Sequence, residues 1–199
     1  KHNKEMFSIF NFKDYCQSQG WTIDRYTSEF TLQFRISRYL QSLDSNLVIE
    51  LESNINRYGL EKFTKKEIDI EYYNNDDIHS CIELKYIRDK GSYNIGMFRF
   101  YEDIKFVEEL IESGKFQNGY CVLFTSIKEL YTTPNRKLNP KNRENLKLYE
   151  LFRIKKQLGG TVSIKTGRLD KSISIKGKYN LNWFDFDNGI KSCIVEISA

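Results

Sequence analysis

The sequence predicts one α/β (α+β) domain with interleaved helices and strands and a β-rich C-terminal third. Three observations predict it. The chain has 199 residues, enough for one substantial core and short of two. Between about residues 28 and 126, helical-period and strand-period runs follow in the order helix, strand, strand, strand, helix, strand. Past a loop holding both prolines, Pro134 and Pro140, a further helical run gives way to short strand-like runs. A single domain over 1–199 is therefore expected, with a core at about 28–126. A basic loop and helix and the C-terminal strands fill 127–199.

The elements read as follows. The opening segment to about Gly20 holds Met6, Phe7, Ile9, Phe10, Phe12 and Tyr15, and predicts a short helix or arm packed on the core. Ser28 can cap a helix running to about Ser42, with Leu32, Ile36, Leu40 and Leu43 as its buried stripe. At 100° per residue Glu29 falls inside that stripe. An acid there needs a cation or donors; as a first-turn acid it also suits the helix dipole without either. Leu47, Val48, Ile49 and Leu51 predict the first core strand over 46–52. A helix over 97–113 follows later, with Phe100, Ile104, Val107 and Ile111 on its apolar face, extended by Phe106 and Leu110. Arg99 and Asp103 lie four apart within that face and predict a partly buried ion pair. Residues 120–124, Tyr-Cys-Val-Leu-Phe, read as a fully buried fourth strand. After the 132–140 loop, a helix to about Leu158 is expected to stop at Gly159-Gly160. Strands are then expected at 161–165, 172–176, 179–185 and 192–197, with Lys176-Gly177-Lys178 as a hairpin turn.

Chemistry concentrates in the second and third strands. Residues 66–72 and 80–86 alternate apolar and polar side chains around the turn Asn74-Asn75-Asp76-Asp77, a hairpin pattern. Alternation points Glu83 and Lys85 one way and Ile82 and Leu84 the other. With Asp69 on the partner strand, two carboxylates and an ammonium can meet beside the core. Carboxylate oxygens are hard ligands suited to Mg²⁺. A neighbouring lysine can orient or deprotonate a water and offset phosphate charge. The same residues also fit a half-exposed hairpin carrying solvated charges.

This pattern resembles the PD-(D/E)XK nuclease superfamily. The resemblance implies a restriction-endonuclease-like core, a mixed central sheet flanked by helices in the order α-β-β-β-α-β, with a C-terminal β extension. It implies that Asp69 and Glu83 hold Mg²⁺ (or Mn²⁺), that the Leu84 carbonyl is a further ligand, that Lys85 is the catalytic lysine and that Glu29 turns toward the metal. Ile68 stands where the superfamily name has proline. The chain is also similar to a group of largely uncharacterised bacterial members through Glu83-Leu84-Lys85-Tyr86, Arg99, Asp103-Ile104, Gly119-Tyr120, Thr125, Tyr179 and Trp183. That likeness spans roughly residues 29 to 197.

Composition narrows the field. Hydrophobic residues make up 40% and charged residues 29%, the balance of a soluble globular protein. No apolar run approaches the length of a membrane helix, and no signal-peptide pattern opens the chain. The chain begins at Lys1, as a trimmed piece of a longer one would. Cys16, Cys81, Cys121 and Cys193 lack zinc-type spacing; three sit in strand-like runs and predict buried free thiols in a reducing, cytoplasmic compartment. Of the two histidines, His2 and His79, the latter is expected to close a turn. Neither a nucleophile elbow nor a glycine-rich phosphate loop is present. The net charge is only +4, yet residues 128–178 hold 14 Lys/Arg against 4 Asp/Glu, leaving 17 against 23 elsewhere. Such asymmetry predicts a polyanion-binding region, with Tyr131, Arg136, Lys137, Lys141 and Arg143 as its loop contacts; an ordinary lysine-rich surface gives the same count. The expected function is metal-dependent hydrolysis of phosphodiester bonds in nucleic acid, DNA first. A non-catalytic nucleic-acid-binding or regulatory module and a partner-binding component of a defence or toxin system are the alternatives. No membrane is expected as a partner; a homodimer or a protein partner stays open.

Overall fold

Residues 7–74, 79–137, 143–167 and 169–199 are described by the structure, a computed structural model of the chain. Met6, His2, the turn residues Asn75, Asp76 and Asp77, Pro140 and Lys141 lie outside the described residues.

Two helices cover one face of the main sheet. Helix α1 (Ile9–Ser18) is capped by Ser8, whose hydroxyl accepts from Asn11 N, and buries Ile9, Phe12 and Cys16. Helix α2 (Glu29–Leu43) is capped by Ser28, whose hydroxyl accepts from Thr31 N, and buries Leu32, Ile36 and Leu40 as expected. Leu43 departs from the expected stripe: it lies at the last turn and is 39% exposed. Against these helices pack Ile70, Ile82, Leu84, Tyr86, Tyr120, Val122 and Phe124 from the sheet.

The sheet has six strands in the order β1-β2-β3-β4-β8-β7. Strands β1 (Val48–Asn54), β2 (Glu67–Tyr73) and β3 (His79–Ile87) form an antiparallel meander. Helix α3 (Tyr93–Glu112) then crosses to β4 (Phe116–Thr125), which runs parallel to β3. Strands β7 (Phe184–Asp187) and β8 (Ile190–Ser198) extend the far side antiparallel. The expected helix and strand order is present, and the fold is a mixed α/β one. Strand β1 is less buried than expected. It lies at the sheet edge, so Val48 and Leu51 are 41% and 44% exposed.

Helix α3 buries a wide face because it is covered twice, by the sheet on one side and by a separate two-stranded hairpin on the other. It starts at Tyr93, four residues before the expected Met97. Gly119 on β4 lets α3 approach: a Cβ built there would lie 2.2 Å from Val107 Cγ1. Thr125 ties the strand ends, donating from Oγ1 to Ile87 O at 2.8 Å and accepting from Ile127 N at 3.0 Å.

The C-terminal third departs most from expectation. A short helix α4 (Leu146–Tyr149) runs into a wider π-turn, Glu150–Lys155, and stops at Lys156, a left-handed residue with φ 50°. Gly159-Gly160 therefore does not end a helix. It lies inside β5 (Gln157–Thr166), paired antiparallel with β6 (Leu169–Asn180). Lys176-Gly177-Lys178 is likewise not a hairpin turn but the long side of a bulge in that ladder, where Leu158 pairs Tyr179 and Gly160 pairs Ile175. Residues of α3 satisfy the bulge. Tyr101 Oη both donates to Gly159 O and accepts from Gly159 N, each at 2.8 Å. The Glu108 carboxylate accepts from Lys176 N, Gly177 N and the Tyr179 hydroxyl. The expected strand over 179–185 is split between the end of β6 and β7.

Candidate carboxylate–lysine site

Strands β2 and β3 position the central pair. Asp69 N donates to Glu83 Oε1 at 3.1 Å, and Leu84 N donates to Asp69 Oδ2 at 2.8 Å. Each carboxylate thus spends one oxygen on the opposite backbone and is fixed in rotamer by it. The contact shown at Leu84 is its N–H; its side chain packs toward α2. Glu83 is fully buried, while Asp69 keeps a 17% exposed side chain.

The remaining oxygens converge on a residue absent from the expected set, Lys65. Its Nζ contacts Glu83 Oε2, lies 3.1 Å from Asp103 Oδ1 and 3.8 Å from Asp69 Oδ1. Asp103 comes from α3 and is 3% exposed. Its second oxygen, Oδ2, is buried and has no hydrogen-bond partner among the described residues. The expected Arg99–Asp103 pair is a misreading. Arg99 is exposed, and Asp103 turns under the sheet to Lys65.

Lys85 and Glu29 meet at the neighbouring end of β3. Lys85 Nζ lies 3.7 Å from Glu29 Oε2, and the same oxygen accepts from Tyr86 N at 2.7 Å. Glu29 does turn from α2 toward the third strand, with donors that make its position tolerable. The structure thus brings Asp69, Glu83, Lys85 and Glu29 to one end of the β2–β3 ladder and adds Lys65 and Asp103.

Electrostatics follow from three acids sharing one ammonium. Burial raises the Glu83 carboxyl well above the usual carboxylate range, Asp69 adds to this, and Lys65 opposes it. Asp69 and Asp103 are also raised, first by burial, against the pull of Lys65 and Lys85. For Lys65, burial works against the charge, but Asp103, Glu83 and Asp69 outweigh it and keep the ammonium charged. One ammonium thus faces three carboxyl groups.

A second buried carboxylate sits two residues along β2. Glu71 is fully buried and accepts from Ser53 Oγ, the Tyr58 hydroxyl and His79, whose Nδ1 is 2.7 Å away. The His79 ring stacks on Tyr73 with centroids 4.4 Å apart. His79 is therefore the first residue of β3, in register with Tyr73 at the turn end of the β2–β3 hairpin, and a partner of Glu71. All four cysteines are free and buried, as expected.

The basic region lies partly elsewhere. Arg136 and Lys137 line an open groove of about 440 Å³ with Thr133, Pro134, Asn135, Leu146, Glu150 and Ile154. Arg143 is exposed in a 3₁₀ turn, Arg143–Asn145. Tyr131 packs on Trp183 at 5.7 Å, with the Lys191 ammonium over its ring. The groove's lining includes none of Asp69, Glu83, Asp103 and Lys65. Part of the positive excess is neutralised locally: Lys155 pairs Glu150, Lys165 pairs Glu144 and Lys176 pairs Glu112.

Asp69, Glu83 and Asp103 offer the hard oxygens that a Mg²⁺ or Mn²⁺ ion takes. An orphaned buried oxygen on Asp103 suits the same chemistry. Among the described residues, however, no group of three His, Cys, Asp or Glu side chains is placed to hold a metal ion; the Lys65 ammonium lies where the oxygens converge. Among the same residues, no helix is long and apolar enough to cross a membrane. No family model matches the chain, and no curated protein or solved structure does.

Lys65 carried little signal in the sequence. It shares parity with Glu67 and Asp69, but an extended chain would hold it about 13 Å from Asp69. Only the bent segment 61–66 brings it close, and no periodicity marks that bend.

Proposed function

We propose that the chain is a metal-dependent nuclease that hydrolyses phosphodiester bonds, with DNA as the first substrate to test. The observation that carries the reading is the reciprocal backbone locking of Asp69 and Glu83 on adjacent strands, with their other oxygens turned to one cation-binding point. The order α2, β1, β2, β3, α3, β4, with β3 and β4 parallel, supports a restriction-endonuclease-like core. Asp69 and Glu83 would hold Mg²⁺ or Mn²⁺, with the Leu84 carbonyl as a further ligand. Such an ion polarises a phosphate oxygen and acidifies a bound water.

The chain's own residues supply the rest. Lys85 is 19% exposed and steered by Glu29, so its ammonium can orient the attacking water or offset charge on the phosphate. Residues 126–137 leave the end of β4. Because β4 is parallel to β3, that loop starts from the sheet end where Lys85 lies. Arg136, Lys137 and Arg143, with Lys141, are the proposed backbone contacts.

A second reading is a non-catalytic nucleic-acid-binding or regulatory module. It is favoured by Lys65, whose ammonium already serves the carboxylates. Incubation with labelled single- and double-stranded DNA and RNA, with Mg²⁺, Mn²⁺ or EDTA, separates the two. Cleavage that needs the metal supports the nuclease; binding without cleavage on every substrate supports the module.

A further inference from the structure

We propose that Asp103 is a third cation-holding carboxylate of this site, and that Lys65 is its resident counter-ion, displaced when a divalent cation enters. The inference rests on the metal-dependent reading above and adds to it a ligand and a control on metal loading.

Asp103 is the anomaly that prompts it. The residue is 3% exposed and sits on the buried face of α3 with Phe100, Ile104 and Val107. One carboxylate oxygen meets Lys65; the other, Oδ2, is buried and meets no described donor. A buried carboxylate oxygen without a donor is costly, and a hard cation is the partner that makes such an oxygen useful.

Charge points the same way. When ionised, Asp69, Glu83 and Asp103 direct three negative charges at one ammonium. Replacing Lys65 by a divalent cation cuts the uncompensated charge from two to one. Ammonium and metal cannot both occupy the convergence point, because two like charges that close repel strongly in a partly buried site.

The mobile partner is the lysine. Asp69 and Glu83 are locked to backbone amides on paired strands, and Asp103 is carried by the central helix. Lys65 comes from the irregular segment before β2 and keeps a 28% exposed side chain. Its long stem can therefore swing its ammonium to water while the three acids stay in place.

The test is a Mn²⁺ titration of the full chain, reading free aquo-Mn²⁺ by electron paramagnetic resonance, with no substrate. Lys65→Met should bind Mn²⁺ at least about tenfold more tightly than the unaltered chain. Asp103→Asn, which keeps size and leaves Lys65 in place, should bind it at least about fivefold more weakly. Equal affinity in all three proteins overturns the inference and leaves the nuclease reading standing. Absence of Mn²⁺ binding in all three overturns both. If Lys65→Met does not fold, the Asp103→Asn comparison decides: unchanged affinity rejects Asp103 as a ligand, and the lysine's role as the displaced ion falls with it.

Discussion

Glu83 and its neighbours set a residue-scale expectation about pH. Burial and Asp69 raise the Glu83 carboxyl, and burial raises Asp69 and Asp103. A carboxyl raised in the folded state binds its proton more tightly folded than unfolded. Its stabilising effect is complete at low pH and is lost as pH rises from the ordinary carboxylate value of about 4 through the raised one. Glu83→Gln should therefore gain thermal stability relative to the unaltered chain, with a gap that widens between pH 5 and pH 8. Melting curves at the two pH values check this; a gap that narrows contradicts it. Lys65→Met should do the opposite, stranding three buried acids at a cost on the order of 3 kcal/mol at pH 8. Arg99→Ala should stay within about 0.5 kcal/mol, since Arg99 is exposed. Denaturant unfolding of both variants separates these outcomes. At this scale the sequence showed an acid in a core face at Asp103 and the strand partners Asp69 and Glu83. It could not show which cation reaches them. That depends on a bend before β2 and on the burial of α3, and neither leaves a periodic trace.

At the element scale, α3 is the organiser. It fills the space between the main sheet and the β5–β6 hairpin, and its polar residues serve the hairpin's bulge. Glu108→Ala should release the amides of Lys176 and Gly177, which a hydrogen-exchange experiment would report as faster exchange there than in β3. Unchanged protection would mean that the ladder alone holds the bulge. Gly119→Ala should destabilise by about 1–3 kcal/mol through the clash with Val107, as thermal melting would show. Elements with one strong period were legible: α2 by its Ser28 cap and Leu32–Ile36–Leu40 spacing, β3 and β4 by their apolar runs. Gly159-Gly160 and Lys176-Gly177-Lys178 misled because glycine reads locally as a stop or a turn. Here Tyr101 and Glu108 hold the same residues within paired strands, so distant contacts override local turn chemistry.

For the whole molecule, the division of charge matters most. The acidic cluster lies at the end of the β2–β3 ladder, and basic residues 128–137 follow the strand parallel to β3. Charge reversal of Arg136, Lys137 and Lys141 together should weaken nucleic-acid binding regardless of sequence and flatten its salt dependence, as a binding titration across salt concentrations would show. Unchanged binding would remove this loop from the substrate path. The charge asymmetry was legible in the sequence, but its local neutralisation by Glu112, Glu144 and Glu150 was not, because those pairings cross elements or turns of irregular helix. Metal-dependent catalysis at Glu83 is tested by single-turnover cleavage of labelled DNA at saturating Mn²⁺, comparing the unaltered chain with Glu83→Gln. The unaltered chain is expected to cleave, with cleavage abolished by EDTA and slowed at least about a hundredfold in the variant. Equal cleavage rates in the two proteins, or no cleavage by the unaltered chain on any nucleic acid, would contradict it.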